Sequence, residues 1–328
     1  DMPFAGGYRG VSWNAQALFA VGPRRQLPKM RYTSHLLQKH DFAMLQETHS
    51  TIGAEKAFRP PTGIRCWWSH GSQSQAGVGL MIQEGFLKRF NPVAPKDWEE
   101  IVPGRAACLR LRGPSGNLDI YTLYFHTGAN SHGRHHVRTR LAASIQPPST
   151  ALTVMAGDFN YVSELEDRFE TPSCNWTGSR NTDEELEWNT LVADPWGLQE
   201  LKQLDYTHAS SLGRSRLDRA YSNHHLADQL DHHFNCAALE WVRHLSAHRA
   251  LSFSRTPPQT SSNNAIPIKP VVVTLPDWPR RVALKLQELQ ATTEELPTPL
   301  RRLRLAKQAM REVSATMAKE SPAHDCSA

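Results

Sequence analysis

Gly157-Asp158-Phe159-Asn160 follows directly on Ala151-Leu152-Thr153-Val154-Met155-Ala156, a short apolar run of the kind that forms a buried strand. A carboxylate and a carboxamide delivered from the end of such a strand stand on a rigid support at the rim of a core, where ligands bind and reactions run. The arrangement recurs. Gly10-Val11-Ser12-Trp13 leads to Asn14, Phe42-Ala43-Met44-Leu45 to Gln46-Glu47, and Leu118-Asp119-Ile120-Tyr121-Thr122-Leu123 to Tyr124. Further on come Ser215-Arg216-Leu217-Asp218 and Ser246-Ala247-His248. Acids, amides and a histidine placed at strand ends from Asn14 to His248 imply one composite site on a layered α/β scaffold.

Length and composition leave room for this. The 328 residues exceed an average domain and accommodate one large α/β domain with an appendage. An apolar share of 39% with nine tryptophans argues against disorder over most of the length. A net charge of +5 and a pI near 9.0 suit a polyanionic partner without requiring one. Five cysteines (66, 108, 174, 236 and 326) are scattered without a close pair, which points to reduced thiols in an intracellular protein. No apolar run approaches the roughly 20 residues that cross a bilayer, so no membrane partner is expected. The chain opens at Asp1 and is expected to be a piece of a longer reading frame.

Between the strand-like runs lie helical patterns. Tyr32 to Lys39 is a short amphipathic stretch, and Glu184 to Val192 has helical spacing after an acidic first turn at Asp183-Glu184-Glu185. Gly77–Ile82 and Ala106–Leu111 are expected to be paired strands of a sheet. Near Ser254 the composition changes. Residues 255–270 hold four prolines among Thr, Ser, Asn and Gln, with no strand or helix pattern. The expected division is a domain over 1–254, a linker over 255–277 and a basic, partly mobile helical extension over 278–328. The extension's two helices bury little alone and are expected to dock on a missing partner or stay mobile.

Several of these residues suit metal binding and acid–base work. Magnesium takes one or two carboxylates plus water and a substrate phosphate, and Glu47 is the best ligand candidate. Asp158 and Asn160 stand two apart, so an extended segment projects both to one side. Asp218 and His248 suit a dyad in which the carboxylate fixes the imidazole tautomer and favours its charged form. The alternatives are a surface carboxylate at Glu47, an Asp-x-Asn turn cap, a salt bridge from Asp218 to Arg216 or Arg219, and a core histidine at 248. His132, His135, His136, His224, His225, His232 and His233 lack zinc spacing and are expected to be exposed loop residues. Arg134, Arg138 and Arg140 form either a phosphate-contacting stripe or a solvated helix face.

In their order, Leu45-Gln46-Glu47-Thr48-His49, the GDFN run and Ser215-Arg216-Leu217-Asp218-Arg219-Ala220-Tyr221 resemble the endonuclease/exonuclease/phosphatase superfamily. The resemblance runs from about Arg9 to Phe253 and is strongest to endonuclease domains of non-LTR retrotransposons. It implies a four-layer α/β sandwich, two mixed sheets flanked by helices, which periodicity alone does not select. It also implies a Mg²⁺-dependent DNA endonuclease, with Mn²⁺ a possible substitute, that leaves a 3′-hydroxyl for a reverse transcriptase encoded downstream. Such an enzyme would act in the nucleus. By resemblance Asn14 touches the metal or its water, Asp158 acts on the attacking water, Asn160 holds a phosphate oxygen, and Tyr124 contacts the phosphate or leaving group. His126, two residues on, is a rival for Tyr124's part, and Arg134 and Ser246 are further substrate-binding candidates.

The chain departs from the resemblance at one point. Active relatives carry Ser-Asp-His where this sequence has Ser246-Ala247-His248. A degenerate copy, a substrate-trapping substitution and a change offset by another carboxylate all remain open. Two alternative readings therefore stand beside the endonuclease: a catalytically impaired DNA-binding module of a retrotransposon protein, and a phosphoesterase for inositol phosphates or sphingomyelin.

Overall fold

The computed structural model describes residues 2–19, 23–72, 74–178, 182–224, 233–256, 270–291 and 299–320. These fall into two compact units, one holding the described residues through Thr256 and the other those from Pro270 onward.

Two six-stranded sheets dominate the first unit. One has the order β15–β16–β1–β2–β4–β3, from β1 (Tyr8–Asn14), β2 (Phe42–Gln46), β3 (Ile64–Ser69), β4 (Val78–Gln83), β15 (His233–Ala238) and β16 (Leu251–Thr256). The other has the order β11–β14–β8–β7–β6–β5, from β5 (Trp98–Val102), β6 (Ala106–Leu111), β7 (Leu118–Tyr124), β8 (Leu152–Asp158), β11 (Gln199–Glu200) and β14 (Asp218–Ser222). The chain between β8 and β14 adds a small sheet of order β10–β9–β13–β12, from β9 (Arg168–Glu170), β10 (Asn175–Trp176), β12 (His208–Ala209) and β13 (Gly213–Ser215). Each large sheet is built around one parallel pair, β1 with β2 and β7 with β8, and its other pairings are antiparallel. A parallel pair needs a crossover, and helix α1 (Pro23–Lys39) supplies one while α4 (Ser131–Ser144) supplies the other. Shorter helices α2 (Ile52–Ala57), α3 (Glu84–Leu87) and α5 (Thr182–Trp188) lie in the connections.

Apolar residues from both large sheets, among them Met44, Leu80, Leu109, Ile120, Val154 and Phe253, form one cluster between them. The opposite face of the first sheet, with Val11, Trp13 and Leu45, packs on Leu36 and Leu37 of α1. That of the second, with Leu123, Met155 and Tyr221, packs on Val137 and Leu141 of α4 and on Trp188. Both faces of the central strands are covered, so β2, β7 and β8 are buried at every position. This is the four-layer α/β sandwich. Gly157 is required where β8 passes β7, because a Cβ there would lie 1.9 Å from the Leu123 carbonyl oxygen.

Some expectations need correction. Gly77–Ile82 and Ala106–Leu111 do form strands, but β4 and β6 belong to opposite sheets rather than pairing with each other. Arg255 and Thr256 are the last residues of β16 and Pro270–Val273 is helix α6, both within the span expected to be a linker, whose residues 257–269 lie outside the described residues. Helices α7 (Trp278–Ala291) and α8 (Pro299–Glu320) pack together, with Val272, Val313 and Met317 buried and Trp278 Nε1 donating to Ser314 Oγ at 2.8 Å. Pro299 opens α8, where a missing N–H costs nothing. His225, His232 and Cys326 lie outside the described residues. No helix among the described residues is long and apolar enough to cross a membrane.

Candidate active site

Strand register gathers the polar residues. Tyr124 and Asp158 are partners across β7 and β8, and Asp158 and Asp218 are partners across β8 and β14. Asn14 pairs with Gln46 at the end of the other sheet's parallel strands, which places Glu47 one residue beyond. His248 stands shortly before β16, whose Leu251 pairs with Ser12.

Hydrogen bonds join the two halves. Asn14 Nδ2 donates to Glu47 Oε1 at 3.0 Å and to Asp158 Oδ2 at 2.9 Å, and its Oδ1 accepts from the Gln16 amide at 3.1 Å. The Tyr124 hydroxyl donates to Glu47 Oε1 at 2.8 Å. Asp158 Oδ1 accepts from the Asn160 amide at 2.9 Å, while Asn160 Nδ2 donates to the Phe125 carbonyl at 2.9 Å. Glu47 and Asn160 hold left-handed backbone angles, φ 47° and 53°, which non-glycine residues rarely adopt and which here aim their side chains.

His248 Nδ1 stands 2.9 Å from Asp218 Oδ2, and its Nε2 is 3.8 Å from Asp158 Oδ2. Burial drives the imidazole toward neutrality, but the carboxylates of Asp218 and Asp158 more than reverse this and raise its pKa. Burial likewise raises the pKa of Asp158, opposed by His248 and reinforced by Asp218. Ser246 Oγ donates to the Asn14 carbonyl at 2.7 Å and accepts from the His248 amide at 3.0 Å, so it serves as a brace beneath the histidine. The Ala247 amide donates to Gln16 Oε1 at 2.8 Å.

The resemblance implies a divalent cation, and the donor set fits one. Asp218 Oδ1 is buried and accepts no hydrogen bond, and ligand atoms of Asp158, Asp218 and His248 all lie within 4.8 Å of one another. With Glu47 added, the carboxylates of Asp158 and Asp218 are the hard oxygen donors that magnesium prefers, while the cationic imidazole of His248 supplies charge and an N–H rather than a ligand. Among the described residues this three-residue group is the one assembled with metal-ligand spacing, and Glu47 and Asn14, expected to hold the metal, adjoin it through Asn14 Nδ2.

Two expectations fail. Arg134 and Arg138 are buried, and both guanidiniums pair with Glu184, with Arg134 also donating to the carbonyls of His126 and Gly128. They are neither a phosphate stripe nor a solvated face, since Glu184, and Glu187 at Arg138, pair with them inside the helical layer. His224 is buried and stacks on Phe234 at 4.0 Å between centroids, whereas His132, His135 and His136 are exposed on α4. His126 is half-buried, and burial lowers its pKa.

Three residues of this region escaped the sequence reading. Thr207 Oγ1 accepts from the amides of Leu217 and Asp218, at 3.1 and 3.0 Å, and so positions Asp218. His208 lies with its ring centroid 4.7 Å from that of His248, its pKa pushed down to about 4 by burial and by His248. Arg105 places its guanidinium 4.6 Å from the Tyr124 ring centroid. Thr207 and His208 sit in a stretch with no apolar run, and Arg105 in a turn between β5 and β6, so no pattern signals them.

Among solved structures the chain is similar in fold to an AP endonuclease, LMAP, from Leishmania major, at 15% identity and TM-score 0.56 over 77% of this chain and 89% of that one. It is similar also to the endonuclease domain of TRAS1, a telomere-specific non-LTR retrotransposon, at 15% identity and TM-score 0.51 over 76% and 99%. A third is the 3′ phosphatase NExo from Neisseria bound to product DNA hairpin, at 16% identity and TM-score 0.52 over 75% and 98%. No curated protein matches the chain in sequence. The family model of the Endonuclease/Exonuclease/phosphatase family matches residues 11–239, a span that takes in Asn14, Glu47, Tyr124, Asp158, Asn160 and Asp218 and stops short of His248. On that match over more than half its length, the chain belongs to the Endonuclease/Exonuclease/phosphatase family.

Proposed function

We propose that the chain hydrolyses DNA phosphodiesters in the presence of a divalent cation, nicking one strand to leave a 3′-hydroxyl. The observation that carries this reading is the convergence of Asn14, Glu47, Tyr124, Asp158, Asp218 and His248, from both sheets, into one hydrogen-bonded cluster. Asp158, with its pKa raised by burial, takes the proton of the attacking water. His248, kept cationic by Asp218, holds a non-bridging phosphate oxygen through Nε2. Asn160 fixes the carboxylate of Asp158 through its amide and confines the water's approach. Tyr124 and Asn14 hold Glu47 in place. A cation held by Glu47 and the unpaired Oδ1 of Asp218, Mg²⁺ with Mn²⁺ as substitute, would neutralise charge on the phosphate and leaving oxygen. The 3′-oxygen leaves and takes a proton from solvent.

DNA is the proposed partner, and a non-LTR retrotransposon protein with a reverse transcriptase following this region is the proposed setting, acting in the nucleus. The likeness to the TRAS1 domain and the Ser-Arg-Leu-Asp-Arg run support this.

Ala247 carries the second reading, a module that binds DNA but cuts it poorly. The aspartate of Ser-Asp-His would add a carboxylate where the chain has a methyl group and a backbone amide committed to Gln16. Plasmid nicking with and without Mg²⁺, by the chain and by Ala247→Asp, separates the two readings. An active Ala247→Asp beside a weak parent chain supports an intact scaffold with one missing ligand. Stronger displacement of bound duplex DNA by inositol phosphates than by unlabelled duplex would overturn both in favour of a small-molecule phosphoesterase.

A further inference from the structure

A pocket of about 490 Å³ opens beside His248, lined by Gln16, Ser210, Trp241, Arg243, His244 and Ala247 among others, and no acidic residue lines it. Arg243 and His244 are exposed. The Arg243 guanidinium lies 5.3 Å from the Trp241 ring centroid and that of Arg249 lies 5.4 Å from the same ring. The two arginines differ in what else they do. Arg249 donates to the carbonyls of Ala238, Leu239 and Tyr206, so it is committed to the backbone and helps fix the indole. Arg243 makes no ion pair or hydrogen bond among the described residues. It is a restrained cation, oriented by an aromatic surface, facing a concavity whose near wall is Ser246 and Ala247.

A planar guanidinium with free N–H donors matches phosphate oxygens, and holding it in advance reduces the rotamer entropy lost on binding. Ala247 adds neither bulk nor negative charge at the edge nearest the dyad. We propose that Arg243, held over Trp241, binds a backbone phosphodiester of the DNA flanking the one that is cut. This rests on the DNA-hydrolase reading and adds to it a subsite outside the catalytic cluster.

The test is the salt dependence of binding to a fluorescent duplex, measured without metal so that cutting does not interfere. The parent chain, Arg243→Ala, Arg243→Lys and Trp241→Leu are compared, with Arg59→Ala, an exposed arginine outside the pocket, as control. Loss of one phosphate contact should weaken binding about three- to tenfold and reduce the log–log salt slope by about 1 in Arg243→Ala. Arg243→Lys should recover most of the slope, Trp241→Leu should fall between, and Arg59→Ala should match the parent. A set of duplexes, each with one methylphosphonate, should contain a position whose neutralisation weakens the parent and leaves Arg243→Ala unchanged. Equal slopes for the parent and Arg243→Ala would overturn the subsite alone. Failure of the parent to bind duplex DNA in a salt-dependent way would overturn the function reading as well. If replacing chloride by inorganic phosphate at equal ionic strength erases the difference between the parent and Arg243→Ala, the site takes free phosphate and the assignment to a backbone phosphodiester is wrong.

Discussion

His248 Nε2 lies 3.8 Å from Asp158 Oδ2, while His248 Nδ1 lies 2.9 Å from Asp218 Oδ2, so one imidazole is set between two buried carboxylates. Two buried acids facing each other across β8 and β14 repel, and the imidazolium relieves that repulsion. Removing the ring strands the charges. His248→Ala should abolish nicking and should also raise the pKa of Asp158 further, because the cation that opposes burial is gone. Carboxylate titration followed by NMR checks the second effect; a fall in the pKa of Asp158 would contradict it.

Asp158→Asn keeps the shape of the site and removes the proposed base. Nicking should be lost while the fold survives, at a cost in stability, because both Asp158 oxygens accept hydrogen bonds and the asparagine NH2 would face one of those donors. Unfolding in denaturant should show a modest fall in stability with the cooperative transition retained. Full activity in this variant would show that another group activates the water.

Thr207→Val removes the acceptor shared by the amides of Leu217 and Asp218. Two backbone donors are then buried without partners, each costing about 1–3 kcal/mol. Denaturant midpoints should fall accordingly, and any nicking should fall with them because Asp218 loses its anchor. A variant with unaltered stability would mean that water replaces the hydroxyl.

Ala247→Asp should raise Mg²⁺-dependent nicking and strengthen cation binding, and in the absence of metal it should be no more stable than the parent. The added charge repels Asp158 and Asp218 until a cation offsets it. Calorimetric titration with Mg²⁺ tests this independently of turnover. Equal Mg²⁺ affinity in the two proteins would show that another residue already fills the role.

Glu184 provides a pH test away from the site. Burial works against its ionisation, but hydrogen bonds and charge from Arg134 and Arg138 more than offset this, so its pKa lies below the ordinary 4.5. A depressed folded-state pKa contributes stability that is fully present above the unfolded value and is lost as pH falls through the folded one. The stability gap between the parent and Glu184→Gln should therefore be largest near neutrality and close below about pH 4.5. A gap that widens on acidification would reverse the sign argued here.

Much of the site was legible because apolar runs locate strands, and the polar residues at strand ends then share one rim of the core. Asn14, Glu47, Tyr124 and Asp158 were placed by that reasoning and Asp218 and His248 by their motifs and the resemblance, and all six meet in one cluster. What failed depended on partners far away in sequence. Arg134 and Arg138 look like a basic stripe until Glu184, 50 residues on from Arg134, is brought against them. Ser246 looked like a substrate contact, yet its hydroxyl braces the Asn14 carbonyl, 232 positions away. Helix α1 starts at Pro23, well before the apolar spacing at Tyr32, because Pro28 and a basic stretch hide its first turns. Sheet membership was equally hidden: nothing local in β4 or β6 says which neighbour each strand will pair with.

The central claim is that water, activated at this cluster, displaces a 3′-oxygen from a DNA phosphodiester. The most direct measurement incubates supercoiled plasmid with Ala247→Asp and Mg²⁺, then offers the nicked circles to a DNA polymerase with no intervening phosphatase treatment. The account predicts immediate extension from the nick, and no nicked circles with a chelator or with His248→Ala in the same background. Nicks that are extended only after phosphatase treatment, or nicking that survives loss of His248, would contradict it.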